Sequence, residues 1–353
     1  MAGRDRGRAV LAVVAGIALL AGACTRTVAS SSGAINPQPQ DLYGAMPSAS
    51  EVSTLLGDDS WRPGPPSFGV RPLDVASMPF TEKFTVTQPF LRLGSSETFS
   101  VDYELWNDTS AAKSHMSGVQ TALGTSAITS PKVGDQAIYY GNQGSGAAPF
   151  QTVTLVRVGP VVSMIGWNLK DGFPKVAQLG KIATKVVARL NSVLAGKVYA
   201  SPLSASDAAV LPPDSLDLTR LGTARIPVEA AVVMIGASSI DTLAQALRSH
   251  GVADVVFGDY ALNSDTHMEV RATVFTFATA KEATDWISPF SSSITAGQAG
   301  YYDQTQGDYV FPFTVGTRVA MLICQSTAAT EAASRACEVP LSRVVTAWRL
   351  NLT

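Results

Sequence analysis

Val158-Gly159-Pro160-Val161-Val162-Ser163-Met164 and Val315-Gly316-Thr317-Arg318-Val319-Ala320-Met321 stand 157 positions apart and read alike. In each, an apolar run reaches a glycine and resumes beyond it. Extended to 153–167 and 309–323, both stretches read as two strands, or one bent strand, with Gly159 or Gly316 at the turn or bulge. Around them other segments recur in the same order. Val101-Asp102-Tyr103-Glu104-Leu105-Trp106 matches Val270-Arg271-Ala272-Thr273-Val274-Phe275, and a helix start of Ser/Thr-Ala type follows each, at Ser110-Ala111 and Thr279-Ala280. Tyr139-Tyr140 then matches Tyr301-Tyr302. Val186-Val187 and Arg189-Leu190-Asn191 match Val344-Val345 and Arg349-Leu350-Asn351. Upstream, Pro47, Ser50, Thr54, Leu56 and Gly57 match Pro212, Ser215, Thr219, Leu221 and Gly222. The offsets change only by loop-sized amounts, which is the mark of a duplication.

The periodicities agree with two α+β halves. Phe99, Val101, Tyr103 and Leu105 alternate with polar residues, and so do Met268, Val270, Ala272 and Val274, as in strands covered on one face. Val176, Leu179, Ile182, Val186, Val187 and Leu190 form one helical stripe, and 241–250 is a short amphipathic helix with Gly251 as its stop. Each half is expected to be a mainly antiparallel sheet packed with an opening, a mid-domain and a closing helix. The breaks fall in the Ser-, Pro- and Gln-rich segment 25–41 and around 196–213. They divide the chain into a leader (1–23), a flexible tether (24–41) and α+β domains at 42–198 and 205–353.

The leader has Arg4, Arg6 and Arg8 before an uncharged run, 9–23. As a helix that run would span about 23 Å, short of the roughly 30 Å bilayer core, so it reads as a signal-peptide core rather than a span. It ends Leu20-Ala21-Gly22-Ala23-Cys24, which resembles the lipobox of bacterial lipoproteins, although Ala21 departs from the usual leucine. The resemblance implies diacylation of the Cys24 sulfur, cleavage before it, and acylation (palmitate among the chains) that anchors the protein to the outer face of the membrane. Two or three chains hold firmly where one does not. The other reading is an ordinary signal peptide cut near Ala23. Outside the cytoplasm, the two remaining cysteines, Cys324 and Cys337, read as a disulfide closing a loop of about 14 residues; a zinc pair has no nearby histidine to complete it. The lipobox, tether and α+β units with a Val-Gly strand turn together resemble the envelope lipoproteins of mycobacteria and related actinobacteria. Some of those are similar to kinase sensor domains or to the Mog1/PsbP-like fold. The likeness carries no ligand residues.

Chemistry is sparse. Net charge is −2, with no basic run after the leader, so nucleic acid is not an expected partner. Ser110-Ala111-Ala112-Lys113 has the Ser-x-x-Lys spacing of serine β-lactamases, but no Lys-Thr/Ser-Gly strand accompanies it and Ser264-Asp265-Thr266 is a poor second motif. Ser110 is read instead as a helix cap. Asp265, His267 and Glu269 would share one strand face, where Asn263 and Arg271 continue a solvated stripe. His115 and His250 fall within and at the end of helices. No Gly-x-Ser-x-Gly elbow exists, and the glycines of 141–146 open no helix, so neither a triad nor a phosphate loop is expected. The candidate ligand or partner surface consists of Trp106, Trp167, Tyr139, Tyr140, Tyr301 and Tyr302. No catalytic residue, cofactor or metal is assigned. The expectation is an anchored, non-catalytic binding or sensor-like protein whose partner is an envelope lipid, glycan or protein. An accessory subunit of an envelope complex and an envelope hydrolase are the alternatives.

Overall fold

The computed structural model describes residues 37–69, 82–124, 127–128, 132–143, 150–169, 172, 176–197, 203–236, 239–265, 267–294, 298–326 and 331–352. The leader, Cys24, Thr266 and Gly144-Ser145-Gly146 lie outside them.

The first sheet comprises β1 (Trp61–Pro63), β2 (Ser67–Phe68), β3 (Glu82–Arg92), β4 (Thr98–Trp106), β5 (Ala127–Ile128), β6 (Gln136–Gln143), β7 (Phe150–Val158) and β8 (Val161–Leu169). Its order is β1-β3-β4-β8-β7-β6-β5, and β2 pairs with β3 further along the same edge as β1. The second comprises β9 (Leu218–Ile226), β10 (Val255–Leu262), β11 (Met268–Thr276), β12 (Tyr301–Asp303), β13 (Asp308–Val315) and β14 (Arg318–Ser326), in the order β12-β13-β14-β11-β10-β9. All pairings are antiparallel. The strand sequence β3-β4-β8-β7-β6 in one sheet answers β10-β11-β14-β13-β12 in the other. The chain is therefore α+β, with two similar sheet domains. The turns that open each reading are two-residue hairpins: Val158 pairs with Val161 and Val315 with Arg318. Gly159 and Gly316 take φ of 56° and 58°, the positive value that a twist-compatible hairpin turn requires at its first position.

Among the described residues, ten helices cover the sheets. The first half carries α1 (Pro39–Gly44), α2 (Ala49–Leu56), α3 (Thr109–Leu123) and α4 (Val176–Leu194). The second carries α5 (Ala205–Ala209), α6 (Val228–Met234), α7 (Ile240–Ser249), α8 (Ala280–Ser291), α9 (Glu331–Arg335) and α10 (Glu338–Leu352). Helix α1 begins inside the segment assigned to the tether. Helix α4 buries Leu179, Ile182, Val186, Leu190 and Val193, the stripe visible in the sequence, against one face of the first sheet. Helix α3 covers the opposite face through Ala112 and Met116. In the second half, α8 and α10 take the same two roles, Trp348 of α10 donating from Nε1 to the Val210 carbonyl at 2.7 Å.

The halves do not keep separate cores. The α4 side of the first sheet and the α8 side of the second belong to one continuous apolar cluster, joined through α1, α2, α6 and α7. Residues 36–353 accordingly form one compact unit.

Two sequence readings change here. The cap of α3 is Asp108, whose carboxylate accepts from the Ala111 amide at 2.8 Å; Ser110 is the second residue of the helix. Thr279 does cap α8, in a reciprocal capping box with Glu282. The match of Pro47–Gly57 to Pro212–Gly222 sets helix α2 against strand β9, so the duplication does not extend to that segment. Cys324 and Cys337 are joined, and the bridge ties the start of α10 to β14, an interior strand of the second sheet.

Candidate functional site

A concavity of about 890 Å³ lies where the first half meets the second. Helices α1 and α2 and strands β1 and β3 form one wall; the start of α6 and the outer face of α7 form the other. Its floor is apolar. Tyr43 and Met46 come from the α1 region, Trp61 and Pro63 from β1, and Phe90 from β3. Trp61 is 2% exposed and packs edge-on against Phe99 and Trp167, with ring centroids 6.3 Å apart in both pairs. Burial pushes the Tyr43 phenol well above its usual range, so it stays neutral and acts as an apolar wall.

The rim is charged, with Asp59, Glu229 and Asp241 beside Arg62 and Arg248. Arg62 of β1 spans the junction to Asp241 of α7, with Nε–Oδ1 at 2.6 Å and Nη2–Oδ2 at 2.7 Å. Its remaining nitrogen donates to the carbonyls of Asp59 and Trp61 at 2.7 and 2.9 Å. Asp241 also lies in the first turn of α7, where the helix dipole favours an anion. The Arg62 hydrogen bond holds the Asp241 carboxyl below its usual range. Within the second half, Arg248 clasps Glu229 through two contacts of 2.6 and 2.7 Å. Each guanidinium is thus already matched to a carboxylate, the planar arrangement that Arg favours.

The Ser48 hydroxyl is occupied in capping α2, accepting from the Glu51 amide. No histidine lines the cleft. His115 stacks on Trp106 at 4.5 Å with its Nε2 3.7 Å from Glu104, and burial pushes its pKa down. His250 Nδ1 lies 3.2 Å from Glu282. Asp265 and His267 sit in the turn before β11 rather than on the strand, 3.1 Å apart, while Glu269 pairs with Arg271 at 2.8 Å. That trio does not converge, and no group of three metal-ligating side chains occurs among the described residues. Ser110 and Lys113 lie on exposed turns of α3.

The six aromatic candidates do not form one surface. Trp167 and Tyr139 are buried in the large shared core, and Tyr301 packs against it. Trp106 and Tyr140 belong to the α3 side of the first sheet, and Tyr302 to the α10 side of the second. The sequence reading missed Arg62 and Asp241. They stand 179 residues apart and carry no local signal.

Among the described residues, no helix is long and apolar enough to cross a membrane. No family model and no curated protein sequence matches this chain. Among solved structures, DynU16, from the dynemicin biosynthetic locus, is matched over 90% of this chain and 95% of its own, at 12% identity and a TM-score of 0.13. The extracellular domain of PknH from Mycobacterium tuberculosis is similar over 45% of this chain and 100% of its own length, at 13% identity and a TM-score of 0.35.

Proposed function

We propose that this chain is a non-catalytic binding protein, displayed outside the cytoplasmic membrane by lipid on Cys24, and that its ligand enters the cleft between the halves. The observation that carries this reading is the cleft itself. Its volume, about 890 Å³, suits a small-molecule site, and its floor is apolar while its rim is polar and charged. Such a lining suits an amphipathic ligand, an acyl chain on Trp61 and Phe90 with its polar end at the Arg62–Asp241 pair. The ligand is then an envelope lipid or lipid-like molecule.

Binding of dansyl-undecanoic acid to the mature protein tests the reading. Ser50 is exposed on the cleft side of α2, so Ser50→Trp fills the space without entering the core. The expected result is saturable binding that weakens at least tenfold in Ser50→Trp at an unchanged melting temperature. Equal binding by the plugged variant refutes the cleft. For the anchor, Cys24→Ala is expected to move the protein from the membrane to the soluble fraction, and unchanged fractionation refutes lipid attachment there.

A further inference from the structure

A second cavity, about 520 Å³, opens where β2 and β3 of the first sheet approach the second sheet. Its lining follows from register. Asp303 is directly opposite Asp308, Asp308 opposite Gln325, and Gln325 opposite Glu269, so three carboxylates and one carboxamide share a single cross-strand row on one face. From the first sheet, Ser67 is opposite Thr87 and Thr87 opposite Asp102, and all three line the same cavity.

The charges there do not balance. Like charges directly opposite on neighbouring strands are destabilising. Asp303 meets its needs locally, accepting from the amides of Thr305 and Gln306 at 2.8 and 3.3 Å. Among the described residues, the one cation lining the cavity, Arg271, is engaged with Glu269 at 2.8 Å. Asp308 is only 7% exposed, and its Oδ1 has no hydrogen-bond partner in the protein. A buried carboxylate without a donor is among the costlier arrangements a fold can hold. Burial, with Asp303 and Glu269 opposing the pull of Arg271, pushes its pKa up to about 6, so it is still an anion at neutral pH.

From the Asp308 carboxylate, whose Oδ1 lacks a hydrogen-bond partner and which faces a cavity that Thr87, Asp102 and Gln325 also line, we infer that this seam is a binding site for a small aliphatic amine, whose ammonium group pairs with Asp308. The surroundings favour an organic cation over a metal ion. A bare divalent ion needs six or more oxygens within about 2.5 Å, and no three acidic or histidine side chains converge so closely among the described residues. An alkylammonium ion brings three donors on a flexible apolar stem. The Gln325 carboxamide, the Thr87 hydroxyl and Asp102 are placed to accept, and Val233 and Met234 of α6 supply apolar wall. This site is separate from the apolar cleft and does not depend on it.

The test is calorimetric titration of the mature protein with putrescine at pH 7.5, with CaCl2 in a parallel arm. Putrescine is expected to bind, Asp308→Asn to weaken it at least tenfold, and affinity to fade as pH falls through about 6. Ligand-free Asp308→Asn is expected to melt no lower than the native protein, because it removes an unpaired buried charge. If that variant fails to fold, Thr87→Lys places an ammonium from the chain itself in the cavity, and is expected to raise the melting temperature and abolish putrescine binding. The inference is overturned if putrescine does not bind, if Ca2+ binds in its place, or if binding survives Asp308→Asn or Thr87→Lys within twofold.

Discussion

Gly222→Ala should loosen the junction between the halves, and the magnitude follows from three distances. A Cβ at Gly222 would lie 2.3, 2.5 and 2.8 Å from Cγ, Cδ1 and Cβ of Phe68. Because Phe68 Cβ is among the clashing atoms, rotating the ring does not clear the space; β2 itself must retreat by about 1 Å to restore ordinary contact. Yet β2 is pinned, since the Phe68 amide donates to Asp259 Oδ2 at 2.7 Å, and Asp259 lies opposite Gly222 across β9 and β10. A retreat of that size takes the bond beyond hydrogen-bonding range. Overpacking costs about 1–3 kcal/mol and a lost bond to a buried charge about 1.5–3, offset by roughly 0.5–1 gained on replacing a strand glycine. The net destabilisation is about 2–5 kcal/mol. Gly57→Ala is the contrasting control. Gly57 has φ +73° and no neighbour within 4 Å, so its cost is backbone strain alone, about 1–2 kcal/mol. Urea unfolding by tryptophan fluorescence gives both values, and hydrogen exchange at the Phe68 amide reads the pinned bond. A Gly222→Ala protein within 0.5 kcal/mol of native stability, with that amide still protected, refutes the argument.

Replacing both Cys324 and Cys337 by Ala opens a loop with a sequence separation of 13 and should cost about 3 kcal/mol, read as a lower melting temperature without reductant; an unchanged value refutes the contribution. Asp308 sets a pH dependence. Its carboxyl titrates near 6 in the fold against an ordinary 3.8, so the folded chain holds the proton more tightly, and the associated stability is fully present below about pH 4 and lost as pH rises through 6. That loss is at most roughly 3 kcal/mol. Urea midpoints of the native protein and Asp308→Asn between pH 4 and 7.5 should differ in slope, and parallel curves refute the assignment. Asp108→Ala should destabilise by about 1 kcal/mol and Ser110→Ala by far less; the reverse order would restore Ser110 as the cap of α3.

What the sequence disclosed and what it hid divide along the range of the interaction. Gly159 and Gly316 were legible because a hairpin turn is decided within four residues. The stripe of α4 was legible because it repeats within one helix: Val176 to Leu190 falls inside α4, and the short helix read at 241–250 agrees with α7 to within a residue. The reading of 153–167 as strands also placed Trp167 on one. It did not say which helix covers each face, so residues grouped as one surface lie in different apolar clusters. The front of the repeat misled for a related reason. Gly222 matched Gly57 by letter, but Gly57 serves a left-handed helix end, whereas Gly222 serves the close approach of Phe68, 154 residues away in the chain. The residues that make the two cavities are of this second kind. Arg62 meets Asp241, Phe68 meets Asp259, and Thr87 and Asp102 share a cavity with Asp308 only because the halves are joined unsymmetrically. One half contributes its closing-helix face and the other its mid-domain-helix face to the common core. A repeated local code yields two similar sheets. The sites arise where the copies meet through non-equivalent surfaces, and there periodicity within either copy carries no information.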